Sequence, residues 1–392
     1  MLSIAVSCVR RALATTILSV LCVIPPAATL LASTPRAMAQ DCQPGWLPGD
    51  GVPGTDGEVN ASVMWDPDGD GPLGPRLVIG GTFSLVEKTR ARSIAMWNPD
   101  TGTWSTFGDG LSDNNGPGVR ALFVHSDGRL IAGGALDPGD VAVWDGISWA
   151  ALGGQHLRSV TALAELPDGD ILAGGSGGVV GPYHSGIAVF DGTQWRPFGD
   201  QGTDPEHFTS VMSLAVQLSG DVYVGGLFSQ IGDVPARSIA RWDGSAWHPL
   251  GDGVTNDYGN YCSVDTLTFL ADHSLIAGGD FSIAGGVIAP GLARWDGVAW
   301  SRPGNLKAHH IHHTEALADG RLMVCGEIEA PNSARNWAIA FWDGSAWTGI
   351  DAGILATNGF CSSEIPGGEF FLGGSFSGVA TTVATNIARW RP

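Results

Sequence analysis

The stretch SIARWDGSAWHPLGDGV, residues 238–254, decides how the rest of the chain is read, because copies of it recur to the C-terminus. Ile239 and Arg241 alternate with Ala240 and Trp242, the period-2 pattern of a strand. Asp243-Gly244 supplies turn chemistry, residues 247–250 read as a short returning strand, and Gly251-Asp252-Gly253 breaks it. The unit is a hairpin closed by a glycine-rich loop. It returns at Trp144-Asp145-Gly146 with Trp149, at Trp295-Asp296-Gly297 with Trp300, and at Trp342-Asp343-Gly344 with Trp347. Two copies diverge: Phe190 replaces the first tryptophan in one, and the turn between Trp97 and Trp104 is two residues longer in the other.

A second hairpin precedes each copy, as in residues 211–216 and 221–226 around Ser219-Gly220. Its double glycine is the ruler, falling at Gly80-Gly81, Gly133-Gly134, Gly174-Gly175, Gly225-Gly226, Gly278-Gly279 and Gly373-Gly374, with Cys325-Gly326 in the one gap. These seven marks, from position 80 to 373, have a mean period of about 49, the spacing of propeller blades and other repeat arrays. Each unit is four short strands, a to d. The last unit stops at Trp390-Arg391-Pro392 without a strand d, while Trp46-Leu47-Pro48-Gly49-Asp50-Gly51-Val52 matches a strand d near the other end. An open array would leave both edges unpaired, an aggregation hazard that a ring removes. The sequence therefore predicts an all-β, seven-bladed β-propeller with four-stranded blades, closed by the N-terminal strand completing the last blade.

Residues 1–39 stand outside this pattern. Arg10-Arg11 precede an apolar run over 12–24, and Ala37-Met38-Ala39 offers a cleavage site before Gln40, which reads as a secretory signal. Pro25-Pro26 interrupts the run, against a membrane anchor that needs about 20 apolar residues in succession. Residues 40–392 are expected to form a single propeller domain, periplasmic or extracellular, with no membrane insertion after cleavage. Removing 1–39, which hold three arginines and no acid, moves the formal net charge from −19 to −22 and argues against nucleic acid as a partner. Many of the acids are aspartates of turns, where backbone hydrogen bonding accounts for them. Cys42, Cys262, Cys325 and Cys361 remain, and both disulfides, in three connectivities, and free buried thiols are open readings. Thirteen of the 15 tryptophans occupy the two repeat positions on strands c and d, where they fill space between blades; Trp65 and Trp337 lie outside that register.

Strand alternation fixes the geography. With strand a starting at the upper face, the a–b and c–d turns lie below and are tight, and the b–c and d–a loops lie above and are long, as at 84–92, 177–185, 253–263 and 304–314. Variable loops on a rigid ring are where binding resides. Three features are candidates. His310 and His312, within Lys307-Ala308-His309-His310-Ile311-His312-His313, share a face if the segment is a strand and suit a transition metal, although no second cluster is visible to complete a site. Asp66, Asp68 and Asp70 reproduce the first half of a calcium loop in the one enlarged lower turn, but Leu77 stands where the closing acid should be. Tyr183, His184, Phe208, Tyr258, Tyr261 and Phe360 in upper loops can stack on sugars or anchor a protein.

The endings Gly81-Thr82-Phe83, Gly226-Leu227-Phe228, Gly279-Asp280-Phe281 and Gly374-Ser375-Phe376, followed by the I-A-R-W-D-G unit, resemble kelch-like repeats of the galactose-oxidase type. The resemblance extends over about residues 41–392, as in secreted bacterial propellers and the ectodomains of fungal cortical polarity-marker proteins. It implies a propeller that binds rather than catalyses, and no Tyr, Tyr, His, His copper set can be identified in this sequence. The expectation is an exported binding or scaffold module that takes a protein or glycan on its upper face. The alternative is a secreted glycan-active or metal-dependent enzyme, with Glu315 or Asp265 near the channel as its carboxylates.

Overall fold

The computed structural model describes residues 45–46, 54–113, 118–154, 157, 159–176, 186–199, 210–256, 262–329, 337–351, 358–365, 367–379 and 382–391. Among them are seven four-stranded antiparallel sheets and no helix. The innermost strands a are Val59–Trp65, Val119–Val124, Val160–Glu165, Ser210–Val216, Ser263–Phe269, Lys307–Ala316 and Asn358–Ile365. Each contacts the next, and the last contacts the first, so the sheets close a ring. The fold is a β-propeller. In the last blade Gly45–Trp46 pairs antiparallel with Ile387–Arg391, Gly45 opposite Arg391 and Trp46 opposite Trp390, which completes the sheet with a strand from the other end of the chain. The expected signal at 1–39 lies outside the described residues, and no helix among those described is long and apolar enough to cross a membrane.

The double glycine has a different cause at each of its two positions. A Cβ on the first would meet the branched side chain that starts strand a of the following blade: Val119 Cγ1 at 2.3 Å from Gly80, Val211 Cγ1 at 2.4 Å from Gly174, Val264 Cγ1 at 2.6 Å from Gly225. The same holds across the closure, where Val59 Cγ1 would lie 2.8 Å from a Cβ at Gly373. A Cβ on the second would strike a backbone carbonyl of strand a in its own blade, as at Gly81 (Glu58 O, 1.9 Å) and Gly226 (Ser210 O, 2.0 Å). Cys325 breaks the rule at the first position, and the blade it faces is the one that carries Gly359 where the others carry Val or Ile. The one side chain at a first position thus falls in register with the one blade whose strand a has no side chain at the matching position.

The five Asp-Gly turns between strands c and d account for five of the 39 acidic residues. In each, one Asp oxygen accepts from the backbone N–H groups two and three residues on, as Asp243 Oδ1 does from Ser245 and Ala246 at 2.9 Å and Asp343 Oδ1 from Ser345 and Ala346 at 2.8 Å. The tryptophans are structural. Trp195, Trp300 and Trp347 donate their indole N–H to Leu152 O, Leu250 O and Pro303 O in the connection leaving the preceding blade, at 2.7–2.8 Å. Trp65, outside the repeat register, is also structural: it is buried and donates to Gly128 O at 2.9 Å. Cys262, Cys325 and Cys361 are buried and form no disulfide, and burial pushes the Cys361 thiol up to about 12; Cys42 lies outside the described residues.

Candidate functional site at the upper end of the inner strands

Every strand a carries a β-bulge directly after the residue that pairs with the second glycine. The extra residues are Asn60, Arg120, Thr161, Met212, Asp265, His312 and Phe360, one per blade and all at the same level near the start of the inner strand. Bulges re-aim side chains and recur next to functional sites. Two of these side chains are consumed by the fold, since Asn60 donates to Val119 O at 3.1 Å and Thr161 to Val211 O at 2.5 Å, both in the following blade. Asp265, His312 and Phe360, from three consecutive blades, make no bond of that kind.

Blade 6 adds a further residue. Residues 304–314, expected as a loop, are strand from Lys307 onward, and Lys307–Ala316 pairs with Leu322–Glu329 through two bulges, the first between Ala308 and His310. The His310 and His312 rings are thereby brought together, centroids 4.0 Å apart and tilted by 39°, and His310 Nε2 is hydrogen-bonded to Asp265 Oδ2. Phe360 closes the other side of His312, edge to face at 5.4 Å and 83°. One atom each of Asp265, His310 and His312 lies within 4.8 Å of the others, the one such group of three or more His, Cys, Asp and Glu among the described residues. Asp265 Oδ1 and His312 Nε2 are buried and have no hydrogen-bond partner.

The electrostatics separate the two rings. Burial works against charge on His310, but the hydrogen bond and charge of Asp265, with Asp280 and Glu327 beyond, raise its pKa above the usual value. Burial and the neighbouring His310 drive His312 down to about 4, so this ring is neutral at physiological pH. The pair thus offers one charge-paired and one neutral imidazole on the same carboxylate.

The other expected residues fall elsewhere. Asp66, Asp68 and Asp70 are not gathered into such a group; Asp66 Oδ1 accepts from Asp68 N at 3.3 Å and Asp68 Oδ2 from Leu73 N at 3.1 Å, as in an ordinary turn. Tyr183, His184, Phe208, Tyr258 and Tyr261 lie outside the described residues. Phe360 is on strand a of the last blade rather than in a loop. Glu315 lies further down the same strand as the histidines, 3.9 Å from His313 Nε2. Two clefts, of about 530 and 420 Å³, flank blade 6 near Trp342; on their walls Lys307 pairs with Glu329 and Arg294 with Asp272, while Arg302 donates to Leu306 O. His125 is tied to Asp127 and Gly169 O in a lower turn.

No protein-family model matches the chain, and no curated protein matches it in sequence. Solved structures do match in fold. The extracellular domain of a hybrid two-component system from B. thetaiotaomicron superposes with a TM-score of 0.56 at 10% identity over 88% of this chain, which spans only 40% of that structure's length. The WD40 β-propeller domain of Doa1 gives 0.52 at 14% identity, with 89% of this chain and 97% of that one covered. YCF48 bound to D1 peptide gives 0.52 at 12% identity, with 89% and 96% covered. At such identities the likeness establishes the propeller and nothing finer.

Proposed function

We propose that this chain is an exported, non-enzymatic binding propeller that takes a protein or glycan on its upper face, around the arc of Asp265, His310, His312 and Phe360. The observation that carries the reading is the distribution of unsatisfied polar atoms. Of the eight buried side-chain nitrogen and oxygen atoms without a hydrogen-bond partner among the described residues, Asp265 Oδ1, His312 Nε2, His313 Nε2, Glu315 Oε2 and Ser362 Oγ sit on the inner strands of blades 5 to 7. Elsewhere many of the acids are occupied, in turns as Asp243 and Asp343 are or in ion pairs as Glu369 is. Buried polar groups are normally satisfied, so a cluster of exceptions beside an aromatic edge is the mark of a surface that awaits a ligand. The kelch-like character of the repeats and the peptide-bound state of one structural neighbour support a protein ligand, and the leader over 1–39 supports export, with Gln40 as the mature N-terminus.

The test presents the mature protein to a glycan array and a displayed peptide library, and measures any hit by calorimetry against Phe360→Ala, Arg120→Ala and a lower-face control, Leu218→Asp. Leu218 is 94% exposed in an a–b turn. At least a tenfold loss of affinity in the upper-face variants, with the control unchanged, is expected. Equal affinity in all variants would overturn the placement. Chemical conversion of the bound glycan would instead select the alternative of a glycan-active or metal-dependent enzyme, which draws on the same imidazole and carboxylate cluster.

A further inference from the structure

We propose that Asp265, His310 and His312 bind one divalent transition-metal ion of the zinc class, through the Asp265 carboxylate and one imidazole nitrogen of each histidine. Two atoms of the group have nothing to bond to as it stands: Asp265 Oδ1 is a buried acceptor and His312 Nε2 a buried ring nitrogen, both unpartnered. A carboxylate oxygen and a neutral imidazole nitrogen cannot satisfy each other unless a proton or a cation lies between them. A cation serves both at once, and serves His310 as well.

The donor set selects the metal. Two imidazoles with one carboxylate suit zinc and its first-row neighbours, whereas calcium and magnesium take oxygen donors almost exclusively. Metal-to-donor distances of about 2.0–2.2 Å place tetrahedral donors roughly 3.4 Å apart. The three donor atoms already lie within 4.8 Å of one another, so small side-chain rotations close the site. The framework is rigid where it has to be. Asp265 and His312 are both bulge residues held by ladder pairs on either side, and Phe360 fixes the His312 ring from the face of the next blade. Asp280 and Glu327 add negative charge around His310. Side-chain exposures of 29% for His310 and 19% for Asp265 leave a solvent-facing side, where water or an oxygen donor completes the coordination.

Metal binding needs no protein or glycan ligand, so it stands or falls separately from the binding role proposed above. The mature protein is stripped with chelator and titrated with Zn²⁺ by calorimetry at fixed pH, with native mass spectrometry for stoichiometry and Co²⁺ absorption for geometry. One ion per chain is expected, with the d–d bands of a four- or five-coordinate nitrogen and oxygen site and with Ca²⁺ unable to compete. His310→Ala, His312→Ala and Asp265→Asn each weaken binding at least 100-fold. His309→Ala and His313→Ala, which remove the neighbouring histidines, leave it unchanged. Circular dichroism of each variant confirms its fold, and His312→Gln replaces any alanine variant that fails it. Absence of stoichiometric zinc at micromolar affinity in the wild type overturns the proposal, as does retained affinity in folded variants or a loss on His309→Ala.

Discussion

The second glycine of a pair lies against a backbone carbonyl of strand a, a contact that tolerates no added atom. Gly226→Ala drives a Cβ to 2.0 Å from Ser210 O, a backbone atom that cannot rotate away. It should destabilise the protein by about 1–3 kcal/mol in urea denaturation. Cys325→Gly restores the repeat consensus yet should also destabilise, by about 1 kcal/mol, since the Cys325 side chain is fully buried and its removal opens a cavity. A rise in stability would sink this account of the exception. The turn aspartates predict an acid limb. Hydrogen bonds from Thr193 and Gln194 hold Asp191 down at about 2 from 3.8. A carboxylate with a depressed folded-state pKa contributes stability that is complete above the unfolded value and is lost as pH falls through the folded one. Between pH 4 and 2 the urea midpoint should therefore fall, and Asp191→Asn should flatten that fall. Self-repulsion among the acids relaxes over the same range, so the variant comparison, not the raw profile, isolates the turn.

At the level of strands, the strand-d tryptophans Trp195, Trp300 and Trp347 each join packing to one cross-blade hydrogen bond. Trp300→Phe keeps the ring and removes the bond to Leu250 O, and should cost about 1 kcal/mol. Trp300→Ala also opens the space between blades and should cost about 3–5 kcal/mol, which thermal and urea unfolding can separate. The strands themselves were legible, because alternation, Asp-Gly turns and the double glycine each mark a boundary. The site was legible only in half. His310 and His312 stand close in sequence, whereas Asp265 lies 45 residues away and joins them only through a bulge that alternation does not show. The signal was present in another form: Asp265 follows Val264 as His312 follows Ile311, so aligning the blades on the residue opposite the second glycine brings the two into one layer. Residues 304–314 read as a loop because a run of histidines has no apolar alternation, yet the partners along Leu322–Glu329 make it strand.

Over the whole molecule, the ends are joined by more than one strand. Asn386, in the left-handed region at φ 63°, accepts from Phe376 N at 3.0 Å and donates to Thr55 O at 3.3 Å and Gly57 O at 2.8 Å, while Thr55 N donates to Thr385 O at 2.9 Å. Asn386→Gly keeps the backbone conformation and loses the side-chain bonds, and should cost roughly 2 kcal/mol at about 0.5–1.5 kcal/mol per bond. Asn386→Ala should cost more, because the conformation is then strained as well. Deleting residues 1–53 removes the strand that completes the last sheet and should lower and broaden the thermal transition, where removal of 1–39 alone leaves it unchanged. Equal transitions for the two truncations would mean that the ring does not depend on its closing strand.

The exchange of sizes at Cys325 and Gly359 has a further effect during folding. Repeated modules can be assembled out of sequence, one unit docking where its neighbour belongs, when all their contact faces are alike. Six of these faces present a glycine to a valine or isoleucine. The seventh is reversed: the thiol would collide with any valine, and the glycine set against another glycine would leave a hole. The ring therefore carries a mark of its own phase, a single non-interchangeable joint that allows a chain of similar parts to count to seven from one fixed point.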